Sequence, residues 1–315
     1  MPLTRKAASR PAPWLSAFIL LGLFACKGPV SGQESAPSAS PAEAQVLVSQ
    51  IKIRDLTEEK VRGGFRLPKL RTVLTEGLPT GSLLRFERPA AGPTPETNGG
   101  NRLHVAVLHG LVSKDGHSIH EPEEGARLTA GVQLHLALIS PREPARVLQA
   151  ERIGEEALTS GDKAAVHDAT AALLRRLTRS AIRALDQRVT IHQGGEAAAL
   201  AGLEARDAAV QAYAIEQVGE RGYERAIPQL IEIIEGEDPK LRLRAIGSLG
   251  LLGASTATAK LAALAGGNER PREIAAAIQA LADINTPEAR RYLKSVGATS
   301  LFEDVRHLVD EALKR

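Results

Sequence analysis

Leu243-Arg244-Ala245-Ile246-Gly247-Ser248-Leu249-Gly250-Leu251-Leu252-Gly253 is the stretch whose reading decides the fold, because it recurs. One counterpart is Ala209–Gly219 (AVQAYAIEQVG), another is Ile274–Ile284 (IAAAIQALADI), and a partial copy runs from Val305 to Leu313. Ile215, Leu249, Leu281 and Leu313 hold equivalent places, spaced 34, 32 and 32 residues apart. Between these helices lie second helical patterns, Ala226–Glu235, Thr258–Ala265 and Pro287–Val296, whose Leu230, Leu261 and Tyr292 sit 31 apart. A helix pair cannot bury its apolar face alone. Self-similarity at this period therefore reads as stacked pairs.

The punctuation agrees with that reading. Asp238-Pro239 and Thr286-Pro287 place a capping side chain before a proline in the first helical turn. Ala245, Gly247, Gly250 and Gly253 are expected to let neighbouring helices approach closely. The segment resembles short HEAT-like repeats of the phycobilisome-lyase type, best at Asp238-Pro239-Lys240-Leu241-Arg242-Leu243-Arg244-Ala245-Ile246 and the following Leu249-Gly250. The resemblance implies an all-α curved solenoid over residues 204–315 that binds other proteins. A bundle of α-hairpins is the alternative. Residues 204–315 carry 15 basic and 17 acidic side chains, so no strongly charged face is expected. Their large aromatics are Tyr213, Tyr223, Tyr292 and Phe302. Tyr213 and Tyr292 fall on apolar stripes, whereas Tyr223, between Gly222 and Glu224, is expected to be exposed. Residues 204–315 are expected to fold alone.

Upstream, residues 46–193 read as an α+β domain, joined to the repeats by a linker over residues 194–203. Val46–Ile53 is β-rich, Leu67, Leu70, Val73, Leu74 and Leu78 recur at helical spacing, and Ser82–Arg88 is a short strand. Pro89–Asn101 is a loop. Asn101–Ser113, Ala126–Ser140 and Arg146–Ile153 are further strands, the second with strict alternation from Leu128 to Leu138, as one buried face requires. From Asp162 onward Val166, Thr170, Leu173, Leu174, Leu177, Ala181 and Leu185 make one apolar stripe, and Arg175, Arg176, Arg179 and Arg183 its solvated side. The order suggests helices covering one face of a meandering sheet. It resembles periplasmic lipoprotein domains of the CsgG, LpoB and TolB N-terminal type.

Residues 1–25 read as a signal peptide: Arg5, Lys6 and Arg10 precede an apolar run, Trp14–Phe24. Eleven helical residues rise about 16 Å, too little for a hydrocarbon core of about 30 Å. The run ends in Leu23-Phe24-Ala25-Cys26, which resembles the bacterial lipobox. That resemblance implies a diacylglyceryl group on Cys26 and cleavage before it. Residues 26–45 then form a lipidated flexible tether, rich in Pro, Ser and Ala. Lys27, rather than Asp, after Cys26 resembles outer-membrane sorting. The expected place is the bacterial cell envelope, lipid-anchored to the outer membrane and facing the periplasm. Of 40 basic residues, three precede Cys26, leaving 37 against 37 acidic, so nothing points to nucleic acid as a partner. The single cysteine precludes an intramolecular disulfide.

No motif points to catalysis, and no cofactor or metal site is expected. His117-Ser118-Ile119-His120-Glu121 alone has metal-ligand spacing, but Asp115, Gly116 and Pro122 put it in a loop or hairpin tip rather than on a helix. His109 and His135 lie on strands as packing or exposed residues. His307, the repeat region's histidine, is followed by Leu308 and not by the Glu that iron-binding HEAT-like enzymes pair with histidine. Ser49-Gln50-Ile51-Lys52 has serine–lysine spacing without companion motifs. The leading expectation is a non-enzymatic envelope scaffold for protein partners. Its rival is a metal-dependent or other enzyme with a site near His117 and His120.

Overall fold

The computed structural model describes residues 45–62, 64–87, 100–139, 145–267 and 270–314. The stretch read as a signal peptide, Cys26 and the residues read as a tether up to 44 lie outside them.

Six strands form one sheet: β1 (Val46–Asp55), β2 (Leu84–Phe86), β3 (Asn101–Lys114), β4 (His117–Ile119), β5 (Arg127–Leu138) and β6 (Arg146–Ala157). The order is β2-β1-β3-β5-β6, with β4 on the far end of β3. The alternation read from β5 is realised: Leu128, Ala130, Val132, Leu134 and Leu136 are buried. The meander holds only from β3 onward. β1 pairs in parallel with both β2 and β3, so it lies inside the sheet rather than beginning an antiparallel run. Parallel pairing needs crossovers. One is supplied by α1 (Glu59–Arg62) and α2 (Leu70–Gly77), between β1 and β2.

Helix α3 (Lys163–Gln193) covers the apolar face and lies beside α2. The expected stripe is its buried side, with Leu173, Leu174, Ala181 and Leu185 all fully enclosed. Each such leucine contributes about 1.5–3 kcal/mol of burial. Arg175, Arg176, Arg179 and Arg183 lie on the exposed side as read, yet two of them also bind backbone. Arg176 donates to Glu155 O at 3.1 Å and Arg183 to Gly77 O at 3.3 Å. Together with Arg188, which donates to Gln149 O, Arg176 covers carbonyls of the edge strand β6. This guards an edge that would otherwise invite another strand.

The remaining helices are α4 (Gly195–Gly202), α5 (Ala208–Glu220), α6 (Ile227–Glu235), α7 (Pro239–Leu251), α8 (Thr258–Ala265), α9 (Pro271–Ile284), α10 (Pro287–Thr299) and α11 (Glu303–Leu313). They stack in two layers, with α5, α7, α9 and α11 in one and α6, α8 and α10 in the other. Ile215, Leu249 and Leu281, the equivalent repeat positions, are completely buried. Asp238 and Thr286 cap as expected: Asp238 Oδ1 accepts from Lys240 N at 2.7 Å and Thr286 Oγ1 from Ala289 N at 3.1 Å.

Two expectations change. Residues 194–203, read as a linker, hold the helix α4, which packs on α3 and α5 with Ala199 buried, because its apolar side has a neighbour on each flank. The glycines also divide differently. A Cβ at Gly250 would come within 2.9 Å of Ala280 Cα, a true close approach of α7 to α9, whereas one at Gly247 would meet nothing. Gly253 serves a turn at φ +61. The unanticipated close approach is Gly219 against Ser248, where Ser248 Oγ donates to Ile215 O at 2.7 Å.

The sheet and the helical stack belong to one compact unit with a continuous core. The later part of α3 is shared, with Val189 and Ile191 buried and α4 and α5 packed on the helix. Polar contacts add to that seam. Arg152 of β6 pairs with Asp207, which also caps α5, and Arg146 meets Glu220 at 2.7 Å.

Candidate functional site

At the β4 end of the sheet the chain gathers titratable side chains from distant positions. Asp55 closes β1 beside Val107 of β3. Its carboxylate accepts from Thr57 N at 3.0 Å, an Asx-type turn that redirects the chain into α1. Thr57 in turn accepts, through Oγ1, from His109 N at 3.0 Å and, through its carbonyl, from Arg62 Nη2 at 3.0 Å. On β3 the pairing with β5 slips between Leu108 and Leu111, and Gly110 sits at φ +77. This is a β-bulge, a device that re-aims a side chain. Here it keeps His109 inward, 1% exposed, and still returns Val112 to the buried face.

His109 Nε2 lies 3.2 Å from Asp55 Oδ2, and Arg62 Nε is 3.2 Å from the same oxygen. Burial pushes the His109 pKa below its usual value, only partly countered by Asp55. Burial alone would raise the Asp55 pKa, but the hydrogen bonds from Thr57 and His109 outweigh it and hold the carboxyl lower than usual. The neutral imidazole therefore faces an ionised carboxylate. Asp55 needs a donor, so Nε2 carries the hydrogen and Nδ1 is left as an acceptor. Phe65 stands edge-on to His109 at 4.7 Å between ring centres and to His167 of α3 at 5.4 Å.

Arg62, Phe65 and His109 border a cavity of about 520 Å³, which Ser118, His120, Lys163 and His167 also line. Its wall closes where Gly161 runs so near Pro122 O that any Cβ would collide. The structure separates the two histidines that sequence spacing had joined. His120 lines the cavity, while His117 is exposed on β4 just after the Asp115-Gly116 turn. Both turn residues have positive φ, which fits a tight two-residue hairpin. Among the described residues no group of three or more His, Cys, Asp or Glu side chains is placed to hold a metal ion. His109 was expected as packing or as exposed; it is buried and bonded to a residue 54 positions away. The one local signal was Gly110, a glycine inside a strand pattern, which marks bulges. His135 is half-buried opposite His104 on the sheet's other face. Ser49 Oγ donates to Asn101 O at 3.1 Å, a bond within the sheet at the β1 irregularity.

A second concave region, about 670 Å³, runs between the sheet's other face and the stack, bordered by Gln133, Glu151, Ile153, Tyr213, Lys240 and Arg244. Tyr213 is half-buried there under the Arg188 guanidinium, 5.7 Å from its ring centre. Tyr223, expected to be exposed, is half-buried against the core because its backbone N–H turns back onto Val218 O. The apolar side chains most open to solvent on the stack are Leu301 (91%), Leu251 (66%) and Phe302 (52%).

A family model of HEAT repeats matches residues 196–282 and again residues 227–314. The first match begins within α4, in keeping with that helix belonging to the stack. The C-terminal region thus consists of HEAT repeats, a scaffold suited to protein interactions. A search of curated proteins finds no match to the chain.

Proposed function

We propose that the chain is a non-enzymatic lipoprotein of the bacterial cell envelope, tethered through Cys26 and presenting its HEAT repeats to a protein partner. One observation carries the reading: the helices from α4 to α11 form a continuous two-layer stack matched by HEAT repeats, with Leu301 and Phe302 standing into solvent at its last turn. Exposed aromatics are common anchors of protein interfaces. The Leu-Phe-Ala-Cys run and the Pro/Ser/Ala-rich segment behind it support the tether. The outer membrane, facing the periplasm, is the proposed site, and nucleic acid is not among the proposed partners.

The test is capture of envelope proteins from the native host, with fatty-acid labelling in parallel. Leu301→Ser with Phe302→Ala is expected to lose a partner that the wild type retains, with an unchanged circular dichroism spectrum. Cys26→Ala is expected to lose the fatty-acid label. Equal capture and equal label would reject the reading.

A second reading, an enzyme of the α+β domain near His117 and His120, draws on one observation: His120 shares its cavity with His109, whose Nε2 is held from behind by Asp55. A stoichiometric metal lost on replacing both His117 and His120 by alanine would favour it.

A further inference from the structure

The cavity beneath α1 has a composition that the scaffold reading does not use. Its lining brings two cations, Arg62 and Lys163, and three imidazoles, of His109, His120 and His167, and includes no carboxylate. Of the acids in the neighbouring segments, Glu121 follows His120 as an exposed residue outside the lining, and three others are engaged. Asp55 lies behind His109 and holds it together with Arg62, Glu123 pairs with Lys114 at 2.7 Å, and Asp162 accepts from Ser160 Oγ at 2.8 Å. Between the polar groups the walls are apolar, with Phe65, Leu111, Val112, Ile119 and Val166. A site of some hundreds of Å³ with apolar walls and a few converging polar groups is the usual form of a small-molecule pocket.

Two features set what it would hold. His109 is 1% exposed, borders the cavity, and spends Nε2 on Asp55, while its Nδ1 makes no hydrogen bond to any described residue. A half-paired imidazole that borders a cavity can accept from a donor placed there. At the other side α3 begins, with no acidic side chain in its first turn and no side-chain cap bond from Asp162. The positive end of a 31-residue helix, with Lys163 on it, favours an anion.

We propose that this cavity binds a small hydroxy carboxylate, its hydroxyl donating to His109 Nδ1, its carboxylate held by Lys163 and the start of α3, and its hydrocarbon part against Phe65 and Val112. The ligand site is separate from the partner surface of the repeats and does not depend on it.

Calorimetric titration of the full chain in detergent tests this, with lactate, 2-hydroxyisocaproate and mandelate as probes. At least one is expected to bind saturably at one site per chain. Its analogue lacking the hydroxyl, phenylacetate in the case of mandelate, is expected to bind at least tenfold more weakly. Lys163→Met, which alters an exposed side chain and leaves the core intact, is expected to weaken the hydroxy acid at least tenfold. Failure of all three probes to saturate would overturn the proposal. So would equal affinity for the analogue lacking the hydroxyl, an unaltered affinity in Lys163→Met, or tighter binding of inorganic phosphate than of any probe.

Discussion

The sheet layer and the helical stack both bury charged side chains, but they use them differently. In the stack, Arg242 of α7 and Glu273 of α9 are 8% and 6% exposed, joined at 3.1 and 2.7 Å. Arg242 also donates to Gly236 O and Glu237 O, and Arg270 stands 3.3 Å from the second Glu273 oxygen. Every strong donor there has an acceptor, so the pair acts as a staple between consecutive repeats. In the sheet layer the Asp55–His109 pair is satisfied on one side only, and the other side of the imidazole borders an open cavity. Fully paired polar groups fix a repeat against its neighbour. A half-paired one beside a cavity marks where a ligand would complete the set.

The largest expected effect concerns what the two regions share. Leu185→Ala in α3 is expected to cost about 3–5 kcal/mol, because the side chain is wholly enclosed in the common core. Calorimetry should record a single transition moved to lower temperature. Two transitions, with only the sheet's displaced, would separate the regions. By the same reasoning, a fragment beginning at residue 204 lacks the α3 and α4 surfaces that cover α5. It should be less helical per residue than one beginning at Lys163, which revises the expectation that residues 204–315 fold alone.

Next is the staple. Glu273→Ala leaves the Arg242 guanidinium shielded and unpaired and is expected to cost on the order of 2–4 kcal/mol. Replacing Asp55 by Asn, a residue of similar shape that can still meet Thr57 N, should cost less. The Arg242 guanidinium beside Glu273 holds that carboxyl below its usual range. Its contribution is therefore present at neutral pH and lost as acid protonates it, a loss that urea titrations between pH 7 and 3 would record and that Glu273→Ala should remove.

Smaller still is a contrast between two glycines of α7. Gly250→Ala is expected to destabilise by about 1–3 kcal/mol, since its Cβ meets the Ala280 backbone. Gly247→Ala meets nothing and is expected to stabilise by about 0.5–1 kcal/mol through helix propensity. Thermal melts of the two variants should move in opposite directions.

The smallest effect is the acid response of the sheet layer. The folded state depresses the pKa of both His109 and Asp55, so the unfolded chain binds more protons. The histidine contribution is complete above about pH 6.5 and is lost as pH falls through the lower folded value. Asp55 adds a second loss below about pH 4. His109→Asn should flatten the first part of the profile. An unchanged slope would mean that the ring is not held neutral.

What was legible in the sequence follows from how local each feature is. The repeats announced themselves because every copy re-creates the same local burial pattern, and the α3 stripe and the β5 alternation were legible for the same reason. The parallel placement of β1 was not, since apolar alternation does not encode a strand's neighbours. The cavity was half-legible. His120 stood in a segment whose spacing drew attention, but Asp55 and His109 are 54 residues apart and meet only because a bulge at Gly110 turns the ring inward. The linker assigned to residues 194–203 failed because a short Ala- and Gly-rich stretch has little pattern of its own and becomes helical through its flanking helices.

The central claim, that the stack rather than the sheet meets the protein partner, is tested most directly by photo-crosslinking in the native host. A photoreactive phenylalanine analogue would be placed at Leu251 or Phe302 on the stack and at Leu47 or Val147 on the sheet, all exposed positions. The account predicts a discrete adduct with one envelope protein from position 302 and none from positions 47 and 147. An adduct from the sheet positions with none from the stack would contradict it.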